Sequence, residues 1–405
     1  MNLNVKKFLS GLDKFTDTKT KIYFIGLFIA LIVTLKEVIC MSYNNFQIFS
    51  FGSLDFWNGI NPYSDWNHIS ILAKPLDVFL YGPLFSILFT PFTILPGWIG
   101  VIFWNIFTYT LYFFSVFTLP DRFSFYNKRF FFFFSSLLLF STLLSVQYNP
   151  VVGALFLFSF TLLEKNKGYW AVLLILISGF TKVYGIFQII MILFYPGFRK
   201  NTLYALLIGI VLFLLPVIKI PAAELLDYYH SWMNVITSHL VFNRYSIYRP
   251  FIALHDSIAS VTGFISLGVF FVIFILTLLK LKYFKGSFSY RAMFLGVLMS
   301  FAILFSTGSE RHTYVIAVAG YAIWYTCINP TRIDKILLWI NLLLLGILPV
   351  DLIVPWIVSN FLLAKLDLGV IVFAITWFIM VYKTFLQKPE IPAPQHVSKN
   401  WPPGP

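Results

Sequence analysis

Long apolar runs alternate with short polar segments along almost the whole chain. Residues 22–33, 98–119, 203–218 and 265–279 are four such runs, and none of them could face water over its full length. In hydrocarbon a helix satisfies its own backbone polar groups, whereas an open strand edge leaves them unpaired. The pattern therefore predicts an all-α polytopic membrane protein.

The charged residues add topological information to this pattern. The chain is 59% hydrophobic and 11% charged, and 29 Lys and Arg against 16 Asp and Glu give a net charge of +13. The basic residues gather between the apolar runs, at residues 6–21, 122–129, 165–167, 199–200, 280–291, 332–335 and 383–388. Such clusters mark the cytoplasmic ends of spans, where anionic lipid attracts them. The charge therefore indicates membrane orientation and requires no nucleic-acid partner.

One apolar stretch, residues 79–95, decides the topology. It contains Pro83 and Pro91, ends before Pro96, and is short of the roughly twenty residues that a span needs. We interpret it as an interfacial or re-entrant segment on the outer face. Every later basic cluster then lies inside, both termini are cytoplasmic, and the count is about twelve spanning helices.

The remaining segments predict the domain organisation. Residues 1–387 form a single transmembrane domain with two long outer loops, residues 41–97 and 219–256. Apolar positions in the first loop have spacings that suit a helix lying in the membrane interface. Residues 388–405 are rich in proline and polar side chains, which predicts a disordered cytoplasmic tail. Cys40 and Cys327 lie in or beside spans, which argues against a disulfide framework.

Several short motifs follow one another at distinctive spacings. They are residues 45–49 (NFQIF), 59–63 (GINPY), 81–85 (YGPLF), 95–98 (LPGW), 147–150 (QYNP), 179–184 (GFTKVY) and 309–314 (SERHTY). Together, over about residues 20–330, the chain resembles the GT-C integral-membrane glycosyltransferases, and more narrowly glycosyltransferase family 87. The resemblance implies a bundle with a short non-spanning helix after the first outer loop, the same feature that the charge pattern requires.

The resemblance also implies an activity. Such enzymes move a hexose, here expected to be mannose, from a polyprenyl-phosphate donor to a glycan or lipid acceptor, with inversion. Nucleotide sugars are cytoplasmic, so an outer active site requires a lipid-linked donor that has already crossed the membrane. The chain is accordingly expected in a bacterial inner membrane, where it contacts membrane lipids. No cofactor is expected, because a monophosphate donor does not require a divalent metal.

The expected general base is missing from its usual place. In this fold an acidic residue early in the first outer loop is expected to accept the acceptor's proton, and Asn45 stands there. An amide cannot do this, so the base must be another outer carboxylate. The candidates are Asp77, Asp55, Asp65 and Glu310. Asp77 is favoured because it directly precedes the short segment at the membrane surface, whereas Asp65 also fits a structural Asx-turn.

Glycosyl transfer also needs cations to hold the departing phosphate. Lys182 and Arg311 are favoured because each lies at a helix edge beside other polar groups, and Arg244 and Arg249 lie in the second outer loop. The non-functional alternatives are that Lys182 extends to the lipid headgroups and that Arg311 belongs to an ordinary exposed cluster. The motif residues expected to contact substrates are Asn45, Tyr81, Asn149 and His312.

Other functions remain alternatives. The His230, His239 and His255 spacings match no tight zinc site. If the protein were an oligosaccharide polymerase or ligase, the expected active-site residues would lie in the second loop and include Arg244, Arg249 and His255. A transporter or flippase would favour related halves and ionisable residues at mid-membrane. No convincing internal repeat is evident, and the polar residues gather at outer edges.

Overall fold

The computed structural model describes residues 14–64, 66–239, 245–252, 261–349, 355, 358, 360–365 and 367–386. Within these residues every regular element is a helix, and β-structure is limited to an isolated bridge between Ile69 and Pro75. The prediction of an all-α protein is confirmed. The predicted tail, residues 388–405, lies outside the described residues.

The helices follow one another with short connections. In chain order they are α1 (Lys19–Ile39), α2 (Asn44–Asn58), α3 (Pro83–Thr93), α4 (Gly97–Phe117), α5 (Phe125–Leu144), α6 (Asn149–Glu164), α7 (Gly168–Thr181), α8 (Val183–Phe194), α9 (Phe198–Leu214), α10 (Leu225–His239), α11 (Arg249–Ile252), α12 (Thr262–Leu279), α13 (Leu281–Gly286), α14 (Phe288–Leu304), α15 (Tyr314–Thr326), α16 (Arg332–Asn341) and α17 (Leu368–Phe385). α8 has 3₁₀ geometry, and shorter 3₁₀ or π-helical turns lie at Leu215–Ile218, Ala222–Glu224, Arg311–Thr313, Leu342–Ile347 and Asn360–Lys365.

The expected count of about twelve spanning helices is not confirmed. Five described helices are long and apolar enough to cross a membrane: α1, α4, α9 with its 3₁₀ extension, α12 and α17. Several other apolar helices have only 10–17 residues. α7 and α8 belong to this group because the chain leaves helical geometry at Lys182, which has extended φ and ψ values. Hydropathy does not show this break, since both flanking segments are apolar.

The first outer segment, which is the described part of residues 41–97 that the charge pattern predicts to be an outer loop, contains two helices that pack on each other. α3 has 11 residues, so it is about 16 Å long and shorter than the roughly 30 Å hydrocarbon core. α2 forms where an amphipathic helix was predicted, and its apolar side is buried against α3. The Phe49 ring lies 5.2 Å from the Phe85 ring and 5.3 Å from the Phe89 ring. Aromatic packing thereby fixes the segment that carries the candidate base.

The core of the bundle is the close pair α14 and α15. A Cβ added at Gly296 would crowd the backbone of Gly320, and one at Gly320 would crowd Met299. Small residues that let two backbones approach are typical of helix pairs in membranes. Most of both helices is buried, and the turn between them carries Glu310.

Several basic clusters meet at one end of the bundle. Arg129 donates to the carbonyl of Thr16 at 3.5 Å, and the Arg122 guanidinium lies 5.2 Å from the ring that begins α14. Near that point Arg291 donates to both carboxylate oxygens of Glu164, at 2.6 and 2.9 Å. Glu164 ends α6, a helix of 16 residues, so the other end of α6 is about 24 Å away.

Candidate active site

A cavity of about 830 Å³ lies at the end of the bundle where α6 begins. Its walls come from the first outer segment, the α7–α8 turn, α10, α12 and the α14–α15 connection. Five residues predicted for the site line it: Asn45, Asp77, Tyr81, Lys182 and Glu310. They come from distant parts of the chain, so the fold creates their proximity.

A tight contact between α3 and α7 brings two of these residues together. Gly82 donates its N–H to the carbonyl of Thr181 at 3.1 Å, and a Cβ at Gly82 would overlap the carbonyl oxygen of Phe180. Only glycine permits this approach without a backbone shift. As a result the Lys182 ammonium lies 5.3 Å from the centre of the Tyr81 ring.

A chain of hydrogen bonds connects the cavity's cation to one of its carboxylates. Lys182 Nζ and Tyr184 OH both donate to Asn149 Oδ1, at 2.6 and 3.0 Å. Asn149 Nδ2 donates to Gln147 Oε1 at 3.4 Å, and Gln147 Nε2 donates to Glu310 Oε2 at 3.4 Å. Asn149 is fully buried at the start of α6. Asn149 does not line the cavity, so it acts on the site by holding the Lys182 ammonium through their hydrogen bond.

The charges in the cavity influence one another. Burial raises the pKa of the Glu310 carboxyl, Lys182 opposes the rise, and Asp77 adds to it. Burial lowers the pKa of the Lys182 ammonium to about 8, and Glu310 opposes that change. The described residues place no carboxylate within 4.0 Å of Lys182. A partly desolvated cation without a direct ion pair is suited to bind an anionic ligand.

Asp77 differs from Glu310 in its access to solvent. Its side chain is exposed at the rim of the cavity. Within the described residues its carboxylate has one hydrogen bond, accepted by Oδ1 from the backbone N–H of Val78 at 2.9 Å. The second oxygen is therefore available to a hydroxyl that enters from water.

The structure places Asp55 away from the cavity. Asp55 is buried and pairs with His68 Nε2 at 2.7 Å, and the Phe51 ring stacks on His68 with 4.3 Å between ring centres. This arrangement holds the first outer segment together. Two other predicted site residues, Asp65 and Arg244, lie outside the described residues.

Three more predicted residues do not line the cavity. Arg311 donates to the carbonyl of Pro349 at 2.6 Å, and Arg249 begins α11 without lining the cavity. His312 Nε2 lies 2.9 Å from Ser145 Oγ, behind the cavity wall. Burial, with Arg311 adding to it, lowers the pKa of His312 to about 3. The imidazole is therefore neutral at neutral pH and contributes no charge for a phosphate.

Asn45, which stands in the expected position of the base, is anchored to the backbone. Its Nδ2 donates to the carbonyl of Ser145 at 2.7 Å. The hydrogen bond ties α2 to the α5–α6 turn. Asn45 therefore lines the cavity and positions its wall without supplying a proton acceptor.

Part of the cavity wall is apolar. Phe264 and Leu267 of α12, Phe187 of α8 and Phe301 of α14 contribute to this wall. α12 is one of the candidate spans, and only 17% of it is buried inside the protein. The polar groups thus share the cavity with apolar side chains of a helix that is long and apolar enough to cross a membrane.

Gln147, Tyr184 and the α12 wall line the cavity, although none of them was among the residues predicted for the site. Gln147 and Tyr184 belong to the same two motifs as Asn149 and Lys182, and each is a polar side chain in an apolar neighbourhood. That signal could have identified them. The α12 wall has no comparable signal, because its residues are ordinary for a span.

Among the described residues, no group of three His, Cys, Asp or Glu side chains could hold a metal ion. The family model for glycosyltransferase family 87 matches residues 79–307, more than half of the chain. The matched region includes Tyr81, Lys182 and most of the residues that line the cavity, but it begins after Asp77 and ends before Glu310. Among curated proteins, none matches the chain.

Proposed function

This chain belongs to glycosyltransferase family 87, and on that premise we propose that it transfers a hexose from a polyprenyl-phosphate donor to a glycan or lipid acceptor. Mannose is the sugar that the family resemblance implies. The observation that carries the proposal is the cavity itself, which combines an accessible carboxylate, a cation and an apolar wall. The cation and the apolar wall suit the phosphate and the lipid chain of the donor. The carboxylate suits the acceptor, whose hydroxyl must lose a proton.

The proposed reaction is a single displacement with inversion. The acceptor hydroxyl oxygen attacks the anomeric carbon while Asp77 takes its proton. The bond between the anomeric carbon and the phosphate oxygen breaks, and its electron pair leaves with the phosphate. Lys182 stabilises the negative charge that develops there. Atoms and charge balance without a cofactor or a metal ion.

Asp77 is proposed as the base because of its position at the rim. A hydroxyl from a water-soluble glycan reaches an exposed carboxylate directly, whereas Glu310 is partly buried and bonded to Gln147. Asp55 is occupied by His68 and does not line the cavity. Asp77 therefore replaces the carboxylate that is absent at Asn45.

Lys182 is proposed as the phosphate-binding group because its ammonium has room for a further acceptor. It makes one hydrogen bond to a neutral amide, and it lies near the Tyr81 and Tyr184 rings. A lysine can donate three hydrogen bonds. A bound phosphate would supply the direct anionic partner that the described part of the cavity lacks.

The test uses membranes that contain the protein. They are offered radiolabelled polyprenyl-phosphate mannose, other polyprenyl-phosphate hexoses, and a panel of glycan and lipid acceptors. We expect label to move to one acceptor class in a single addition. Addition of long oligosaccharide blocks would instead indicate a polymerase or ligase. Solute uptake or lipid flipping without any transfer of label would indicate a transporter or flippase.

A further inference from the structure

The backbone just before Gln147 is strained. Val146 lies in the left-handed region with φ of 50°, and it is fully buried in the turn between α5 and α6. A β-branched residue seldom adopts this conformation, which glycine favours at a helix C-terminus. Strain of this kind persists where surrounding contacts require one geometry, and it is common at functional sites. Here it fixes the direction in which the next side chain, Gln147, leaves the backbone.

The orientation of the two amides follows from the charge of Lys182. An ammonium only donates, so Asn149 must present Oδ1 to Lys182 and to Tyr184 OH. Its Nδ2 then faces Gln147, which must present Oε1 and is left with Nε2 for Glu310. Reversing either amide would place donor against donor or acceptor against acceptor. The hydrogen bonds thus run in one direction from cation to carboxylate.

The cavity brings Glu310 together with the other two charges. Lys182, Asp77 and Glu310 all line it, and hydrogen bonds through Asn149 and Gln147 join Glu310 to Lys182. In the proposed reaction the phosphate lies at Lys182 and the acceptor hydroxyl at Asp77. The donor sugar ring, which connects the phosphate to the reacting carbon, must then lie inside this cavity, and Glu310 is the second carboxylate of its lining.

We propose that Glu310 accepts hydrogen bonds from hydroxyl groups of the donor sugar, and that Gln147 is the positioning residue that fixes Glu310 relative to Lys182. This inference rests on the proposed function and adds a recognition site for the sugar to it. Gln147 is 6% exposed and both of its amide atoms are engaged. A fixed separation between the phosphate-binding cation and this carboxylate would select a sugar phosphate over a bare phosphate.

Binding in detergent micelles tests the inference without turnover. Wild type is expected to bind polyprenyl-phosphate mannose about 10- to 100-fold more tightly than sugar-free polyprenyl phosphate, the range for hydrogen bonds to a charged group. Gln147→Leu and Glu310→Gln are each expected to lose most of this preference while still binding the sugar-free lipid. An unchanged preference in Gln147→Leu would overturn the positioning role, and one in Glu310→Gln would overturn the sugar contact.

A second buried glutamine provides the matched control. Gln188 also uses both amide atoms, accepting from Ser159 Oγ at 2.7 Å and donating to the carbonyl of Phe156 at 2.8 Å, and it does not line the cavity. Gln188→Leu should lower thermal stability but keep the preference for the sugar-carrying lipid. A loss of preference in this control as well would show a general packing effect and would contradict the inference.

The isosteric variant Gln147→Glu adds a readout that packing alone would not change. An ionised side chain at 147 cannot donate to Glu310, whereas a protonated one can. The preference for the sugar-carrying lipid should therefore be lost at pH 8 and partly recovered near pH 5, while Gln147→Leu shows no recovery. The titratable and charged groups that face Glu310 are Lys182, Asp77, Tyr81 and Tyr184, with Arg311 and His312 next in the chain.

The outcomes separate this inference from the proposed function. If wild type transfers label in membranes and Gln147→Leu and Gln147→Glu retain the binding preference, only the positioning role is wrong. If wild type binds neither lipid, the proposed donor class is wrong, and the sugar contact fails with it.

Discussion

At the scale of single residues, the cavity assigns different environments to groups of the same chemical type. Asp77 is exposed at the rim, Glu310 is partly buried and hydrogen-bonded, and Asp55 is buried against His68. The sequence offered four candidate carboxylates and favoured Asp77 only from its place along the chain, because solvent access and hydrogen-bond partners depend on the fold. An asparagine at position 45, where an acidic residue is expected, is therefore compatible with activity when another carboxylate reaches the same cavity.

The Lys182 environment predicts a pH dependence. With its pKa lowered to about 8 by burial, the amine loses its charge as pH rises through that value, and phosphate binding weakens. We expect kcat/KM for the donor to fall above pH 8. Lys182→Arg should keep its charge to much higher pH and so extend the basic limb, at a lower absolute rate.

The control for this experiment is Lys219→Arg, an exposed lysine that does not line the cavity. Its pH profile should match that of wild type. A basic limb that is the same in Lys182→Arg as in wild type would show that a different group titrates.

At the scale of elements, the contact of α3 with α7 is the feature on which the site depends. The apolar run at residues 98–119 predicted α4 (Gly97–Phe117) closely, because a long run has one simple interpretation. The break at Lys182 and the turn at Val146 could not be predicted, since both arise from tertiary contacts between apolar segments. The turn at Val146 orients Gln147, and the break at Lys182 brings the lysine ammonium to Asn149.

Gly82→Ala tests the α3–α7 contact. A Cβ at this position would overlap the Phe180 carbonyl, so the backbone must shift and separate Tyr81 from Lys182. We expect transfer to fall by about a hundredfold, the effect of an error of about 1 Å in a catalytic geometry. The measurement is the transfer rate per folded molecule in purified protein.

Gly209→Ala in α9 is the matched control, because its new Cβ would meet only Leu176 at 4.0 Å. It should retain wild-type transfer and stability. Wild-type transfer by Gly82→Ala would mean that the cavity tolerates movement of α3 and that the contact does not determine the site.

At the scale of the whole molecule, charge separates the two ends of the bundle. The basic clusters around Arg129 and Arg291 meet at one end, and the cavity lies at the end where α6 begins. Which of the two ends faces the cytoplasm stays a prediction from the charge pattern. The fold also shows why the number of spans could not be read from hydropathy, because many apolar helices are short and pack within the protein.

Single-cysteine labelling tests the proposed orientation. In a background without Cys40 and Cys327, an impermeant reagent should label position 77 from outside. Positions 167, 199 and 335, which are exposed, should react only after the membrane is permeabilised. Labelling of position 167 in intact cells would reverse the orientation and place the cavity on the cytoplasmic side.

The central claim is that the carboxylate at the rim of this cavity drives glycosyl transfer, and the rate of Asp77→Asn at saturating donor tests it most directly. We expect a fall of about two to four orders of magnitude, the range for loss of a general base, with thermal stability unchanged. Asp55→Asn serves as the control: it should lower stability through loss of the His68 pair and retain most of its transfer rate per folded molecule. Full transfer by Asp77→Asn would contradict the assignment of the base, and full transfer by both Asp77→Asn and Glu310→Gln would contradict an active site in this cavity.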